Sequence, residues 1–307
     1  MNENILITHP DCLNHFMERH PERPERLTAV LNKLESAGVT ENMRQLSAKE
    51  ISPGQLNLAH SLDYIEAIRN SEPSESFVKV DPDTYMSPGS MRAASLAAGA
   101  VAEATELVIK GDAKRAFCAV RPPGHHAEIA ESFGFCLFNN IGVSALMALQ
   151  DPNIRQVAIL DFDVHHCNGT VDIFKDDPRV LVCSSFQENF YPNRFLDFSN
   201  DHIISTPLTE GTRGLEYRKK IESQWLLKIQ NHKPDIIFVS AGFDAHEMDH
   251  LGNINLIEDD YRWITHFIVD LANSYSKGRV ISVLEGGYNL ESLSHSALAH
   301  VEALISN

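Results

Sequence analysis

Gln156-Val157-Ala158-Ile159-Leu160-Asp161-Phe162-Asp163-Val164-His165-His166 begins as an apolar, β-branched run and ends in two carboxylates and a histidine pair. The first five residues have the length and composition of a buried strand. A strand continued through the acidic residues would place positions i, i+2 and i+4 on one face. That predicts Asp161, Asp163 and His165 pointing together from the strand end. Carboxylate oxygen with imidazole nitrogen suits a divalent transition metal. The strand ends of α/β sheets are where ligand sites gather.

Three further apolar runs end in polar, chemically capable residues. Phe117-Cys118-Ala119-Val120 leads into Arg121-Pro122-Pro123-Gly124 and then His125-His126. Two prolines fix φ, and the glycine permits a bend that can aim both imidazoles. Imidazoles titrate near neutral pH and suit proton transfer. The run from Pro234 to Ser240 leads into Ala241-Gly242-Phe243-Asp244-Ala245-His246, and the run from Arg279 to Leu284 into Glu285-Gly286-Gly287-Tyr288. In a parallel sheet, four such strand ends converge on one crevice. Helical patterns at residues 24–37, 62–68, 93–102, 140–149, 215–230, 259–273 and 290–305 accompany the strands. The expected fold is therefore α/β, an open parallel β-sheet with helices on both faces. The strand-end motifs run from Arg121 to Tyr288 without a linker, so residues 1–307 are expected to form a single domain.

These motifs, in this order, make the chain resemble the zinc-dependent histone deacetylases of the arginase–deacetylase superfamily, in particular their class II and bacterial branch. The resemblance rests on six segments: residues 20–27, Arg121 to Glu128, Gly134 to Asn140, Asp161 to Thr170, Ser240 to His246, and Glu285 to Tyr288. It implies an arginase/deacetylase fold and a metal-dependent amidohydrolase that removes the acetyl group from N-ε-acetyl-lysine. By the same resemblance, Asp163, His165 and Asp244 match zinc ligands, a set that also accepts ferrous iron. His126 matches the general base and His125 its electrostatic partner. Asp161 and Asn168 match the groups that orient those imidazoles, and an Asn at 168 is similar to class II members. Tyr288 matches the hydroxyl that donates to the scissile carbonyl. Removing such a donor typically costs about two to three orders of magnitude in rate.

The resemblance extends to the approach to the metal. Gly134 and Phe135 match one wall of an acyl-lysine channel and Tyr191 the opposite wall; aromatic walls suit a desolvated methylene stem. Asp83, in Asp81-Pro82-Asp83-Thr84-Tyr85, resembles a rim acid, with a plain helix-start carboxylate as the other reading. Asp161, Asp163, His165, Ser184 and Ser185 fall where the family holds a structural potassium ion. Arg26 aligns with an internal arginine. Leu251 stands where polyamine-selective relatives carry a glutamate, which favours acetylated lysine in proteins or peptides, histone tails among them, over acetylpolyamines. An acetylpolyamine amidohydrolase is the alternative reading, and a non-catalytic acyl-lysine binder the third. Two departures stand out: Cys167 replaces the usual glycine after the second His-His, where a glycine would suggest tight packing or an unusual φ, and His250 and Asn253 alter the rim segment. The histidines at 202, 232, 266, 295 and 300 stand outside the motifs and are read as structural or solvated.

Composition agrees with this reading. A hydrophobic content of 43% supplies a substantial core. A formal charge of −16 argues against nucleic acid, which needs a basic surface, and favours cationic substrates. Five cysteines without Cys-x-x-Cys spacing fit a reducing compartment. With no apolar run long enough to span a bilayer and no basic leader at Met1-Asn2-Glu3, the expectation is a cytoplasmic protein without membrane partners. A bacterial effector exported without a leader would read the same. Oligomeric state is not encoded in any of these features.

Overall fold

Continuous apolar runs become buried parallel strands, and small-residue or amphipathic runs become the helices that cover them. A computed structural model describes residues 3–306. In chain order the strands are β1 (Asn4–Thr8), β2 (Arg44–Ser47), β3 (Val78–Lys79), β4 (Tyr85–Met86), β5 (Arg115–Cys118), β6 (Val157–Asp161), β7 (Val180–Gln187), β8 (Ile203–Leu208), β9 (Ile236–Ala241) and β10 (Val280–Leu284). The α-helices are α1 (Pro24–Ser36), α2 (Pro53–Leu56), α3 (Leu62–Ser71), α4 (Ser90–Lys110), α5 (Asn140–Ala148), α6 (Asn168–Phe174), α7 (Gly214–His232), α8 (Glu258–Tyr275) and α9 (Leu290–Ile305). Eight strands form one parallel sheet in the order β2-β1-β5-β10-β9-β6-β7-β8. Helices α1, α9, α8 and α7 pack in succession, while α4 packs on α5 and α5 on α6. This is the expected parallel sheet between helical layers.

The four motif-bearing strands β5, β10, β9 and β6 are immediate neighbours at the centre of that sheet. All four are buried at every position. Their register aligns the ends: Asp161 lies opposite Ser240, Leu284 opposite Ala241, and Val283 opposite Cys118. The polar residues that follow therefore emerge side by side. On α4, Gly99 allows the close crossing of another segment. A Cβ there would stand 1.8 Å from the Lys49 carbonyl oxygen, and Ile51 N donates to Ser95 O nearby.

Two local expectations are corrected. β6 ends at Asp161 and does not carry Asp163 and His165 on a common strand face. Asp161 Oδ1 accepts from Asp163 N at 3.0 Å, and Asp163 Oδ1 accepts from His165 N at 2.9 Å. Carboxylates bonding the backbone two residues on are turn formers, and they curl the chain out of the sheet. Asp83 does not start a helix either; it lies between the paired strands β3 and β4, and α4 begins only at Ser90. Helix α6, beginning at Asn168 directly after the second histidine pair, carries no sequence signal strong enough to have been expected. Among the described residues, no helix is long and apolar enough to cross a membrane.

Candidate metal centre and channel

The turns after β6 bring Asp163 and His165 to Asp244, which follows β9; one ligand atom from each lies within 4.8 Å of the others. His165 Nδ1 is 3.0 Å from Asp163 Oδ1 and 3.2 Å from Asp244 Oδ2. One nitrogen carries at most one proton, and Asp244 Oδ2 is left buried without a hydrogen bond. Backbone packs directly on this carboxylate pair. A Cβ on Gly286 would stand 2.0 Å from Asp244 Oδ2, and one on Gly242 would stand 2.0 Å from Asp163 Oδ2. Gly286 N also donates to Asp163 Oδ2 at 2.8 Å, and Val164 N to Asp244 Oδ1 at 2.9 Å.

Two buried carboxylates act on each other and on the imidazole between them. Burial pushes the Asp244 carboxyl up to about 7, with the neighbouring Asp163 charge adding to the shift. Burial opposes protonation of His165, yet Asp163 and Asp244 outweigh it and hold the imidazole up at about 10. A divalent cation would take the place of that proton, and two carboxylates with one imidazole are a donor set that fits it.

The two adjacent histidines differ. His125 Nδ1 lies 3.0 Å from Asp161 Oδ2, so Asp161 turns to this imidazole and away from the triad. Burial disfavours the charged form of His125, but Asp161 and then Asp163 overcome it and raise the group to about 10. His126 Nδ1 lies 2.6 Å from Asn168 Oδ1. Burial, with His125 and His165 beside it, holds His126 well below the usual imidazole range. A Cβ on Gly134 would stand 2.2 Å from the His126 ring, so glycine is needed for the channel wall to reach it.

Tyr288 is placed by contacts the sequence did not reveal. Asp249 Oδ2 accepts from Tyr288 N at 2.6 Å and from Asn289 N at 3.0 Å. The Arg26 guanidinium lies 4.8 Å from the Tyr288 ring centre, and it donates to Gly287 O and Glu285 O, both at 2.5 Å. Burial pushes the Tyr288 phenol well above its ordinary range, against the pull of Arg26, so it stays a donor. Behind it, Glu22 bridges Arg26 (3.0 Å) and Arg121 (2.6 Å), all three fully buried. Burial favours the neutral form of Glu22, yet the two guanidiniums hold it down at about 2. Glu285 Oε2 accepts from Gly124 N (2.7 Å) and His125 N (3.2 Å), tying β10 to the histidine turn.

A cavity of about 270 Å³ leads to these groups; Asp83, Gly134, Phe135, Tyr191 and Leu251 all line it, as do His126, His165 and Tyr288. His250, read from the sequence as a departure at the rim, and Phe190, which had not been singled out as a channel residue, complete the lining. Phe190 stacks on His165, with ring centres 5.6 Å apart and 16° between planes. Tyr191 meets His126 edge-on at 5.4 Å. Asp83 Oδ1 accepts from Gly134 N at 3.2 Å, fastening the β3–β4 turn to the channel wall. His20 packs edge-on against Phe135 at 4.6 Å. Ser184, opposite Asp161 in the β6–β7 register, contacts His166 Nδ1 at 2.9 Å, and Ser185 Oγ is 3.5 Å from Asp161 O. Cys167 has φ −77° and is fully buried, so a side chain is accommodated without backbone strain. Burial pushes its thiol well up, which makes it an inert one. Of the outlying histidines, His300 is buried between Thr265 and Ser282, and His202 and His232 each contact a backbone carbonyl. His295 contacts Lys33 and Glu291 O, and His266 is exposed. None joins the site.

Comparison with known proteins identifies the family. The histone deacetylase domain pattern matches residues 20–304. "Histone deacetylase 5" of Arabidopsis thaliana is 34% identical over 94% of this chain and 46% of its own length. "Histone deacetylase 15" of the same plant is 35% identical over 93% and 53% respectively. The chain thus spans about half the length of these relatives. An uncharacterized Synechocystis protein is 35% identical, with 93% of this chain and 94% of its own length covered. A crystal structure of the HDA15 HD domain superposes with a TM-score of 0.93 at 34% identity, over 99% of this chain and 88% of that one. The chain belongs to the histone deacetylase family.

Proposed function

We propose that this chain hydrolyses the amide of N-ε-acetyl-lysine in peptides or proteins, with a divalent metal held by Asp163, His165 and Asp244. The observation that carries the reading is that His165, grouped with Asp163 and Asp244, lines a single aromatic channel together with His126 and Tyr288. The cation, zinc or ferrous iron by donor type, supplies Lewis acidity toward the amide carbonyl and toward water. His126, held neutral, takes the proton from water and delivers it to the departing lysine amine. His125, charged against Asp161, stabilises the negative charge that develops beside it. Tyr288 keeps its proton and donates to the carbonyl oxygen as that oxygen becomes an oxyanion. Gly134, Phe135, Phe190 and Tyr191 enclose the methylene stem and exclude water, and Asp83 at the cavity lining serves the substrate backbone. Leu251 supplies packing where a carboxylate would select a second ammonium, so acetyl-lysine peptides, histone tails among them, are favoured over acetylpolyamines. Oxygen atoms of Asp161, Asp163, His165, Ser184 and Ser185 form the proposed seat of a structural potassium ion, a role supported by the Asp161–Ser184 pairing across β6 and β7.

The test is turnover of an acetyl-lysine peptide and of N-acetylputrescine, with and without chelator, by wild type, Tyr288→Phe and His126→Ala. Chelator-sensitive peptide turnover that both substitutions abolish is the expected result. Turnover of the acetylpolyamine alone would overturn the substrate assignment, and metal-independent turnover would overturn the triad's role.

A further inference from the structure

An asparagine behind a catalytic histidine poses a problem that an aspartate does not. A carboxylate can only accept, so it always draws the proton to the facing ring nitrogen. A carboxamide is nearly symmetric in shape and can present either its oxygen or its NH₂. With the oxygen toward His126 Nδ1, the ring proton sits on Nδ1 and Nε2 keeps its lone pair. With the NH₂ toward it, the proton moves to Nε2 and the ring can no longer accept a proton there. Something must choose between the two.

The neighbours of Asn168 make that choice. Asn168 Nδ2 lies 2.7 Å from Glu128 Oε1 and 3.2 Å from the His126 carbonyl oxygen. Both are acceptors only, so the reversed amide would set Asn168 Oδ1 against two oxygens. The carboxylate is the stronger of the two, since charge-assisted hydrogen bonds are roughly twice as strong as neutral ones. Glu128 is itself held: Arg194 Nη1 donates to Glu128 Oε2 at 2.6 Å and to Glu131 Oε2 at 2.8 Å. The Arg194 guanidinium also lies 4.8 Å from the Phe133 ring centre. Arg194 is 39% exposed and closes the same segment that supplies Phe190 and Tyr191 to the channel.

We propose that Glu128 is a positioning residue: held by Arg194, its carboxylate fixes the Asn168 amide and thereby keeps the His126 proton on Nδ1, leaving Nε2 as the acceptor for the channel. The inference rests on the reading of His126 as the base. It makes Arg194–Glu128–Asn168–His126 a continuous polar chain from solvent to the reacting end of the channel.

The experiment reads the His126 tautomer directly, by long-range proton–nitrogen correlation on ¹⁵N-histidine-labelled protein, both chelated and zinc-loaded, with His126→Ala assigning the signal. Wild type is expected to show Nδ1–H. In Glu128→Ala the Nδ1–H population falls, and kcat for an acetyl-lysine peptide drops roughly 10- to 100-fold with KM nearly unchanged. In Glu128→Ala/Asn168→Asp the carboxylate needs no orienting partner. Nδ1–H returns, and the high-pH plateau of kcat recovers to within roughly threefold of wild type, since a carboxylate accepts in either orientation. Glu128→Asp, with its carboxylate one methylene short of Asn168, carries the same expectations as Glu128→Ala if the alanine protein does not fold. An unchanged tautomer and kcat in the single variant would overturn the proposal. So would lost activity with Nδ1–H intact, or a double variant that regains neither. If wild type hydrolyses no acetyl-lysine peptide, the functional reading fails, while the tautomer shift in chelated protein still decides what Glu128 does.

Discussion

His125 and His126 are neighbours in sequence with ring centres 4.0 Å apart, yet the protein treats them in opposite ways. His125 faces a carboxylate on β6 and is held charged; His126 faces a carboxamide on α6 and is held neutral. Both are buried, so desolvation works against the charged form of each. The charges around each ring decide the outcome. At His125, Asp161 with Asp163 outweighs burial; at His126, the charges of His125 and His165 add to burial, and the Asn168 carboxamide does not outweigh them.

The most severe way to break this pairing is to remove the base. His126→Ala is expected to lower kcat by about 10² to 10⁴, the usual reach of general acid–base catalysis, with metal content by atomic absorption unchanged. Next is the charged partner. Asp161→Asn leaves His125 without its counter-charge, and loss of one member of a buried pair is expected to cost roughly 3 kcal/mol in urea unfolding. The His125 pKa, followed by NMR, should fall from its raised value in the same variant. Asn168→Asp sharpens the contrast by giving both histidines a carboxylate. A carboxylate favours protonated His126, so the acid limb of kcat/KM should move to higher pH by roughly 1 to 3 units. In wild type the depressed His126 keeps activity on its plateau as pH falls through the ordinary imidazole range. The smallest effect is expected at the start of α6. Cys167→Gly removes a buried side chain from a backbone that has no need of glycine, costing about 1 kcal/mol in thermal unfolding and little in kcat.

The contrast between the floor and the rim of the site shows what the sequence could convey. The floor was legible because each of its groups follows a short, β-branched apolar run, which reads as a central parallel strand. One step in that reasoning failed. Extending β6 past Asp161 put three ligands on one strand face, whereas the carboxylates themselves turn the backbone and divide Asp161 from Asp163. The rim was less legible because its members act across large separations in the chain. Asp249 holds the backbone of Tyr288, Asp83 holds Gly134, and His20 packs on Phe135. Nothing local to residue 249 or residue 20 announces a partner so distant. Glu128 lay inside a quoted motif, yet its partner Arg194 lies 66 residues away.

The strand order carries a consequence for how the protein is made. β9 and β10 come last in the chain but stand in the middle of the sheet, between β5 and β6. A nascent chain emerging from the ribosome through β8 therefore holds two half-sheets, β2-β1-β5 and β6-β7-β8, with a gap two strands wide. Both edges of that gap, along β5 and β6, are apolar and unpaired until residues 236–284 arrive. Exposed edges of this kind recruit other chains. Synthesis thus leaves two central strand edges open until late, and Asp244 arrives with the segment that seals them, Tyr288 just after it.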